Sequence, residues 1–480
     1  MKKIQFKSMT SLIAVIAAFC LISAVPVAAH GATGLDNPSG KTDKQGDPLV
    51  RPLNHNKPSP KKSVGNIPAP ECPPIVRCVF VPAAYQRNDP NDPSNYGNYD
   101  TANRPTGELA INQIVIHDTE GDLASTIDAF QDPLYFVSTH YVIDTDGTIY
   151  QMVENKNVAW HAGNYYVNQH SIGIEHVGHA ANGINDFTPA MYFASSQLVK
   201  YLADKYNIPK DTQHIIGHYN VPAPTASRIP TMHMDPGPFW NWQNYFALMG
   251  APVVPQGNVL TAKSVVVAPI WPLNKQPVTG CFPDVPTSCV NTTTTPTSFT
   301  YVHTAPSETS PYVTDPILGQ GSTDLGNNAA KAYYGQKFAV LSRTITNKGI
   351  WWEISYVGQM GWIYSPFSAP TVMPSTSKHI APKAGLATIP VYGRAYPEIS
   401  AYPADFTNKQ PVVSLPYTIS AGQKYTLAGS DTPTDYYYAW TFDLSLPYDH
   451  TVFKGNDKYL RIQYNGREAY VRAADVNLTD

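Results

Sequence analysis

Two histidines and one aspartate stand where short apolar runs meet polar residues. His117 follows Ile114-Val115-Ile116, His218 follows Ile215-Ile216-Gly217, and Asp235 opens Asp235-Pro236-Gly237-Pro238. Two imidazoles and a carboxylate suit a catalytic zinc ion, which takes three protein ligands and keeps a fourth position for water or substrate. Zinc lowers the pKa of such a water to about 7 and so supplies a nucleophile at neutral pH. The chemistry this set suits is hydrolysis. A lone histidine at a strand end is usually structural, and the chain has 14 of them; His140 and His161 are read as structural or substrate-contacting, and His170, His176, His179 and His214 as neither. The weight lies on the three positions taken together. Asp118 and Glu120, beside His117, read as polar residues of a solvated loop.

The elements that must position these residues form an α/β pattern. The run 111–116 is largely apolar and reads as a buried strand that delivers His117 at its end. Leu123, Ile127 and Phe130 follow at helical spacing. The stretches 139–143 and 148–153 flank Asp144-Thr145-Asp146-Gly147, a turn signal between two strands. Residues 171–175 make another short strand. Thr188-Pro189 caps a helix that carries Met191, Ala194, Leu198 and Leu202 on one face. The run 214–218 is a further strand, and Pro238 opens a last helix with Phe239, Trp242 and Phe246 turned inward. The expected fold is a mixed sheet with flanking helices.

The wording and order of these segments carry a resemblance. Ile114-Val115-Ile116-His117-Asp118-Thr119-Glu120-Gly121, Thr139-His140-Tyr141, Trp160-His161-Ala162-Gly163-Asn164, Ser171-Ile172-Gly173-Ile174-Glu175, Gly217-His218 and Asp235-Pro236-Gly237-Pro238 resemble the type-2 N-acetylmuramoyl-L-alanine amidase family, related to peptidoglycan recognition proteins. The likeness covers residues 79–250, about a third of the chain. It implies one zinc ion on His117, His218 and Asp235, Glu175 as the acid/base that handles the attacking water, with orientation of a ligand imidazole as its other reading, and His233 in the place of a residue, often Lys, that steadies the oxyanion. It further implies peptidoglycan as the partner and the amide between the lactyl group of N-acetylmuramic acid and L-alanine as the bond cut. Tyr141, Trp160, His161 and Asn164 are the candidate substrate contacts, with a core or structural role as the other reading of the first three. Two features depart from the family: His218 and Asp235 lie 17 residues apart, with 223–230 resembling an insertion, and position 233 is His. A recognition protein without catalysis and a zinc peptidase of the stem peptide are the rival functions.

The rest of the chain bears on where such an enzyme would work. Met1-Lys2-Lys3 and Lys7 precede an apolar core at 12–25 and the small residues Val27-Ala28-Ala29, which together read as a signal peptide over 1–29. The expected location is therefore secreted or cell-wall associated, with no membrane partner after cleavage. Residues 30–78, rich in Pro, Lys, Asn, Asp and Gly, and 251–298, rich in Pro and Thr, read as tethers. Four cysteines then remain, as Cys72/Cys78 and Cys281/Cys289; three pairings are possible, with pairing within each short loop preferred, and a thiolate zinc site is the rival that export disfavours. Charged residues make up 14% and the net charge is −3, which speaks against a nucleic-acid partner. A monomer is expected. Beyond 298 a degenerate repeat is visible: Gly335-Gln336-Lys337-Phe338 echoes Gly422-Gln423-Lys424-Tyr425, and Ile354-Ser355-Tyr356-Val357-Gly358 before Trp362 echoes Ile462-Gln463-Tyr464-Asn465-Gly466 before Tyr470. The second copy carries about 21 extra residues, expected as a hairpin near 443–457. Each copy resembles a bacterial SH3-like wall-targeting barrel, at 299–367 and 382–480. This organisation predicts that a chain ending near Gly250 keeps hydrolytic activity.

Overall fold

The structure is a computed structural model that describes residues 68–105, 109–282, 285–429 and 432–479. The expected signal peptide and most of the first tether lie outside the described residues. The tether's last part does not behave as one. Glu71 is held by a 2.8 Å ion pair to Lys205 and accepts the Tyr141 hydroxyl on its carbonyl, and Cys78–Phe80 is already a strand of the main sheet.

That sheet has six strands in the order Cys78–Phe80, Ile149–Gln151, Tyr141–Ile143, Ser171–His176, Gln113–Ile116 and Ile215–Gly217. The last three and Tyr141–Ile143 run parallel, and Ile149–Gln151 returns antiparallel from Tyr141–Ile143. The sheet is mixed, as its sequence pattern predicts. Side chains alternate along a strand, so Ile114, Ile116, Ile172 and Ile174 share one face. That face packs into a single core with Met191, Leu198 and Leu202 of the helix Pro189–Tyr206. Thr188 caps this helix by accepting the Met191 N–H at 3.1 Å. The final helix starts later than Pro238: it spans Trp242–Leu248, because the Asn241 side chain accepts the Asn244 N–H at 3.0 Å and makes Asn241 its cap. A short helix Tyr165–His170, which has no clear apolar period, went unpredicted.

The segment 251–298 is a correction to the tether reading. Ser264–Val267 pairs with both Lys337–Ala339 and Val372–Ser375 as the middle of a three-stranded sheet. Val278–Phe282 and Val285–Thr292 form a hairpin with Cys281 opposite Cys289. Composition marked this stretch as loop, but Val265, Val266 and Val267 are all buried by strands distant in sequence. Both expected disulfides, Cys72–Cys78 and Cys281–Cys289, are present.

The repeat is visible in three dimensions. Gly335 and Gly422 both take a left-handed φ, +87° and +90°, and the Gln after each accepts the N–H three residues back through its side chain, at 2.9 Å in both copies. Gly349–Tyr356 pairs with Gln359–Pro366 as Tyr459–Gln463 pairs with Glu468–Arg472, setting Trp362 opposite Glu353 and Tyr470 opposite Arg461. The second copy does carry an extra hairpin, but it pairs Asp435–Tyr438 with Thr451–Lys454, so its first strand lies before the expected 443–457. The two copies sit in a five-stranded and a seven-stranded sheet.

Candidate metal centre

The register of the main sheet decides which residues meet. Gly217 is level with Ile116, and Ile116 with Ile174. The next residues, His218, His117 and Glu175, therefore stand in one row across three adjacent parallel strands. Asp235 joins them from the loop that follows, where its carbonyl accepts the Tyr219 N–H at 3.1 Å. His117, His218 and Asp235 are all buried and present ligand atoms within 4.8 Å of one another.

The donor geometry fits a small divalent cation. The Nδ1 atoms of His117 and His218 are 3.1 Å apart, and each lies 2.9 Å from one oxygen of Asp235. A tetrahedral ion with bonds of about 2.0–2.1 Å keeps its ligand atoms about 3.3 Å apart. Asp235 Oδ1, although 2.9 Å from His218, makes no well-directed hydrogen bond. Burial would raise the Asp235 pKa, but the neighbouring His218 and His117 hold it well below the usual carboxylate range. His218 itself is lowered, first by burial.

Behind His117 a chain of hydrogen bonds sets the proton positions. The Ser171 hydroxyl donates to the Val167 carbonyl at 2.7 Å, so its one hydrogen is used. His161 Nε2, 3.2 Å from that hydroxyl oxygen, must then carry a proton and donate. Burial and the adjacent His117 hold the His161 pKa well down, so the ring is neutral and its Nδ1 is bare. That Nδ1 lies 3.0 Å from His117 Nε2, which donates to it. His117 therefore uses Nε2 toward His161 and turns Nδ1 toward His218 and Asp235. Such an outer partner commonly sets the tautomer of a ligating histidine.

Glu175 completes the row. Its Oε2 is buried without a hydrogen-bond partner, and burial, then the Asp235 carboxylate, push its pKa well above the usual value. The half-buried His233 has Nδ1 3.8 Å from Asp235 Oδ1, with its ring 5.2 Å from that of His218. Glu175 and His233 are thus the partly exposed members of a site whose other residues are covered.

A family model described as N-acetylmuramoyl-L-alanine amidase matches residues 107–238, the stretch that holds every residue of this site. The chain is also 33% identical over 175 residues to N-acetylmuramoyl-L-alanine amidase A of Achromobacter lyticus, a match that covers 91% of that protein and 33% of this chain. This chain belongs to the N-acetylmuramoyl-L-alanine amidase family. It is 33% identical over 118 residues to the 1,6-anhydro-N-acetylmuramyl-L-alanine amidase AmpD of Haemophilus influenzae, covering 23% of this chain and 58% of that protein. Among solved structures, a selenomethionine derivative of AmpD matches at 26% identity over 36% of this chain and 93% of that one, with a TM-score of 0.27.

Within the amidase domain, the four expected substrate contacts are placed elsewhere. Tyr141 is fully buried, its hydroxyl donating to the Glu71 carbonyl and accepting from Asn155. Trp160 is fully buried and donates to Asp100. His161 is the partner of His117, and Asn164 caps the helix Tyr165–His170 while donating to the carbonyls of Pro222 and Gly393. Their polar groups face inward and are satisfied, which leaves nothing for a substrate to pair with. Asp118 is also buried rather than solvated, and burial, followed by the Glu120 charge, pushes its pKa well up. Glu120 accepts the Ala180 N–H at 2.7 Å. Sequence reasoning missed Ser171, whose adjacency to His161 depends on the turn between Trp160 and the strand. It also missed Arg467, which lies more than two hundred residues from the amidase domain.

Proposed function

We propose that this family member is a secreted, zinc-dependent enzyme that hydrolyses the amide between the lactyl group of N-acetylmuramic acid and L-alanine in peptidoglycan. The observation that carries the reading is the convergence of His117, His218 and Asp235 beside the unpartnered Glu175. These three residues would hold the zinc, which when bound supplies a Lewis acid for the scissile carbonyl and lowers the pKa of water. Glu175 takes a proton on its unpartnered Oε2 from the attacking water and returns it to the leaving amine. His233, on the open side, donates to the developing oxyanion.

Export is supported by the basic and apolar start of the chain and by two disulfides, which persist in oxidising compartments. Among the described residues no helix is long and apolar enough to cross a membrane. The repeats, which we read as SH3-like modules, would bind the wall. A cavity of about 810 Å³ lined by Tyr301, His303, Tyr312, Lys348, Tyr364 and Phe367 offers aromatic and cationic groups for that role.

The test is mass spectrometry of muropeptides digested by purified protein, with metal analysis alongside. Release of the intact stem peptide, leaving a free lactyl carboxylate, is expected, with about one zinc per chain that is lost in His117→Ala. Glu175→Gln should retain zinc and lose at least about 10²-fold in turnover. Cleavage inside the stem peptide would make it a peptidase, and binding without cleavage a recognition protein.

A further inference from the structure

The C-terminal repeats do more than follow the amidase domain. The sheet face opposite the Pro189–Tyr206 helix carries Val115, Ile216, His117 and His218, since residues two apart share a face. On that face Val115, Ile216, Val221, Ala223, Ile229 and Met232 share one apolar cluster with Leu415, Tyr417, Ala469 and Val471 of the second repeat. The segment 223–230, longer than the family pattern leads one to expect, forms the 3-10 turn Ala226–Thr231 and packs against the strand Ser414–Ser420. A Cβ on Gly393 would overlap the Ala223 carbonyl, so the backbones meet directly. The insertion is a docking surface for the repeat.

One side chain crosses this interface to the metal centre. Arg467, in the turn between the strands Tyr459–Gln463 and Glu468–Arg472, is more than nine-tenths buried. Its Nη1 donates to the carbonyls of His218 and Val221 at 3.3 and 3.1 Å, and its Nη2 to those of Met232 and His233, both at 2.9 Å. The first pair belongs to the turn that begins with His218. The second lies two and three residues before Asp235. A planar fork with fixed donor directions can hold both segments at once, which a single ammonium cannot. Next to it, Asn220 donates to the Gly466 carbonyl at 2.8 Å. The turn is itself braced from the first repeat, where Gln336 donates to the Asn465 carbonyl at 2.8 Å. Burial lowers the Arg467 pKa only to about 10, so the guanidinium stays charged at neutral pH.

We infer that Arg467 is a positioning residue of the hydrolytic centre: it fixes the spacing between His218 and Asp235, so the second repeat is part of the active-site scaffold. This inference rests on the zinc reading above. It is tested on the full chain with Arg467→Lys and Arg467→Met, using Asp435→Asn as the control. Asp435 bridges the same two parts of the molecule, 2.8 Å from His170 and from Gln169, but touches neither ligand segment. Zinc affinity is measured by competition with a chelator, kcat and KM on a soluble muropeptide, and folding by thermal melting.

Both Arg467 variants should lose about 10- to 100-fold in zinc affinity and fall in kcat more than in KM. Asp435→Asn should melt earlier with unchanged zinc affinity. Arg467→Lys keeps the charge and most of the packing, so it remains readable if Arg467→Met does not fold. Wild-type zinc affinity and kcat in folded Arg467→Lys would overturn the inference while leaving the zinc reading intact. Equal losses of zinc in Asp435→Asn would also overturn it, by reducing Arg467 to general interface stability. Absence of zinc from the wild type would instead remove the proposed function.

Discussion

His117 illustrates how much a single imidazole depends on what lies behind it. A histidine offers either ring nitrogen to a metal, and the wrong tautomer offers a proton instead of a lone pair. Here the direction is imposed from Val167 through Ser171 and His161, each step closing one option for the next. Ser171→Ala removes the acceptor for His161 Nε2 and so releases the constraint on His161 Nδ1. Zinc affinity should drop by about 10-fold or more, with a larger drop in His161→Phe, which also deletes the acceptor for His117. Chelator competition reads both. Unchanged affinity in the pair would show that His117 holds its orientation from packing alone. The grouping of His117, His218 and Asp235 was legible in the sequence because a metal site needs specific residue types. Tyr141 and Trp160 were misplaced as substrate contacts because an aromatic residue in a motif looks the same whether it lines a groove or fills a core.

At the scale of elements, the site depends on strand register. A shift of one residue would turn His117 to the helix-covered face and bring Ile116 to the metal side. The register is held by the fully buried run Gln113–Ile116 between two parallel neighbours, where every side chain meets core on one face or the other. Gly173 is the tight point. It lies level with Val115, on the face of His117, and a Cβ there would sit 2.5 Å from Cγ of His161. Gly173→Ala should therefore push His161 off His117, costing about 1–3 kcal/mol of stability by overpacking together with a loss of bound zinc. Thermal melting and metal content measured on one preparation check this, and a variant that keeps both would place the His161 ring further from the strand. The strands themselves could be read from short apolar runs ending in His. The helix Tyr165–His170 could not, because all six of its residues are buried, Asn168, Gln169 and His170 included, and no apolar period separates a buried face from an exposed one.

For the whole molecule, composition suggested a catalytic domain on two tethers, and packing joins the parts instead. The repeats cover one face of the amidase sheet and bond to it through Asn164, Gln169, His170, Asn220 and Arg467. A chain ending at Gly250 would expose Val221, Ile229 and Met232, among others. At about 1.5–3 kcal/mol for each large apolar side chain, that loss is comparable to the whole stability of a domain, about 5–15 kcal/mol. The truncated chain should aggregate or melt far earlier than the full protein and show little hydrolysis of soluble muropeptides. Activity equal to that of the full chain would restore the reading of an independent catalytic domain. Pro and Thr content misled at 251–298 because hairpin strands such as Val285–Thr292 use the same residues as linkers, and the central strand Ser264–Val267 is recognised only by its distant partners.

What the sequence by itself indicated is the chemistry and the local frame: two histidines and an aspartate suited to a metal, strands to carry the histidines, a capped helix, two close cysteine pairs and an internal repeat. Each of these is written in residue type or short period, and so survives reading along one dimension. What only the tertiary structure decided is who stands behind and beside the site. His161 and Ser171 became the orienting partners of His117, and Arg467 reached the ligand loops from the far end of the chain. Hydrogen bonds to backbone carbonyls have no sequence signature on the accepting side, since every residue offers the same carbonyl. A guanidinium that recognises four of them can therefore be found only once the chain has folded.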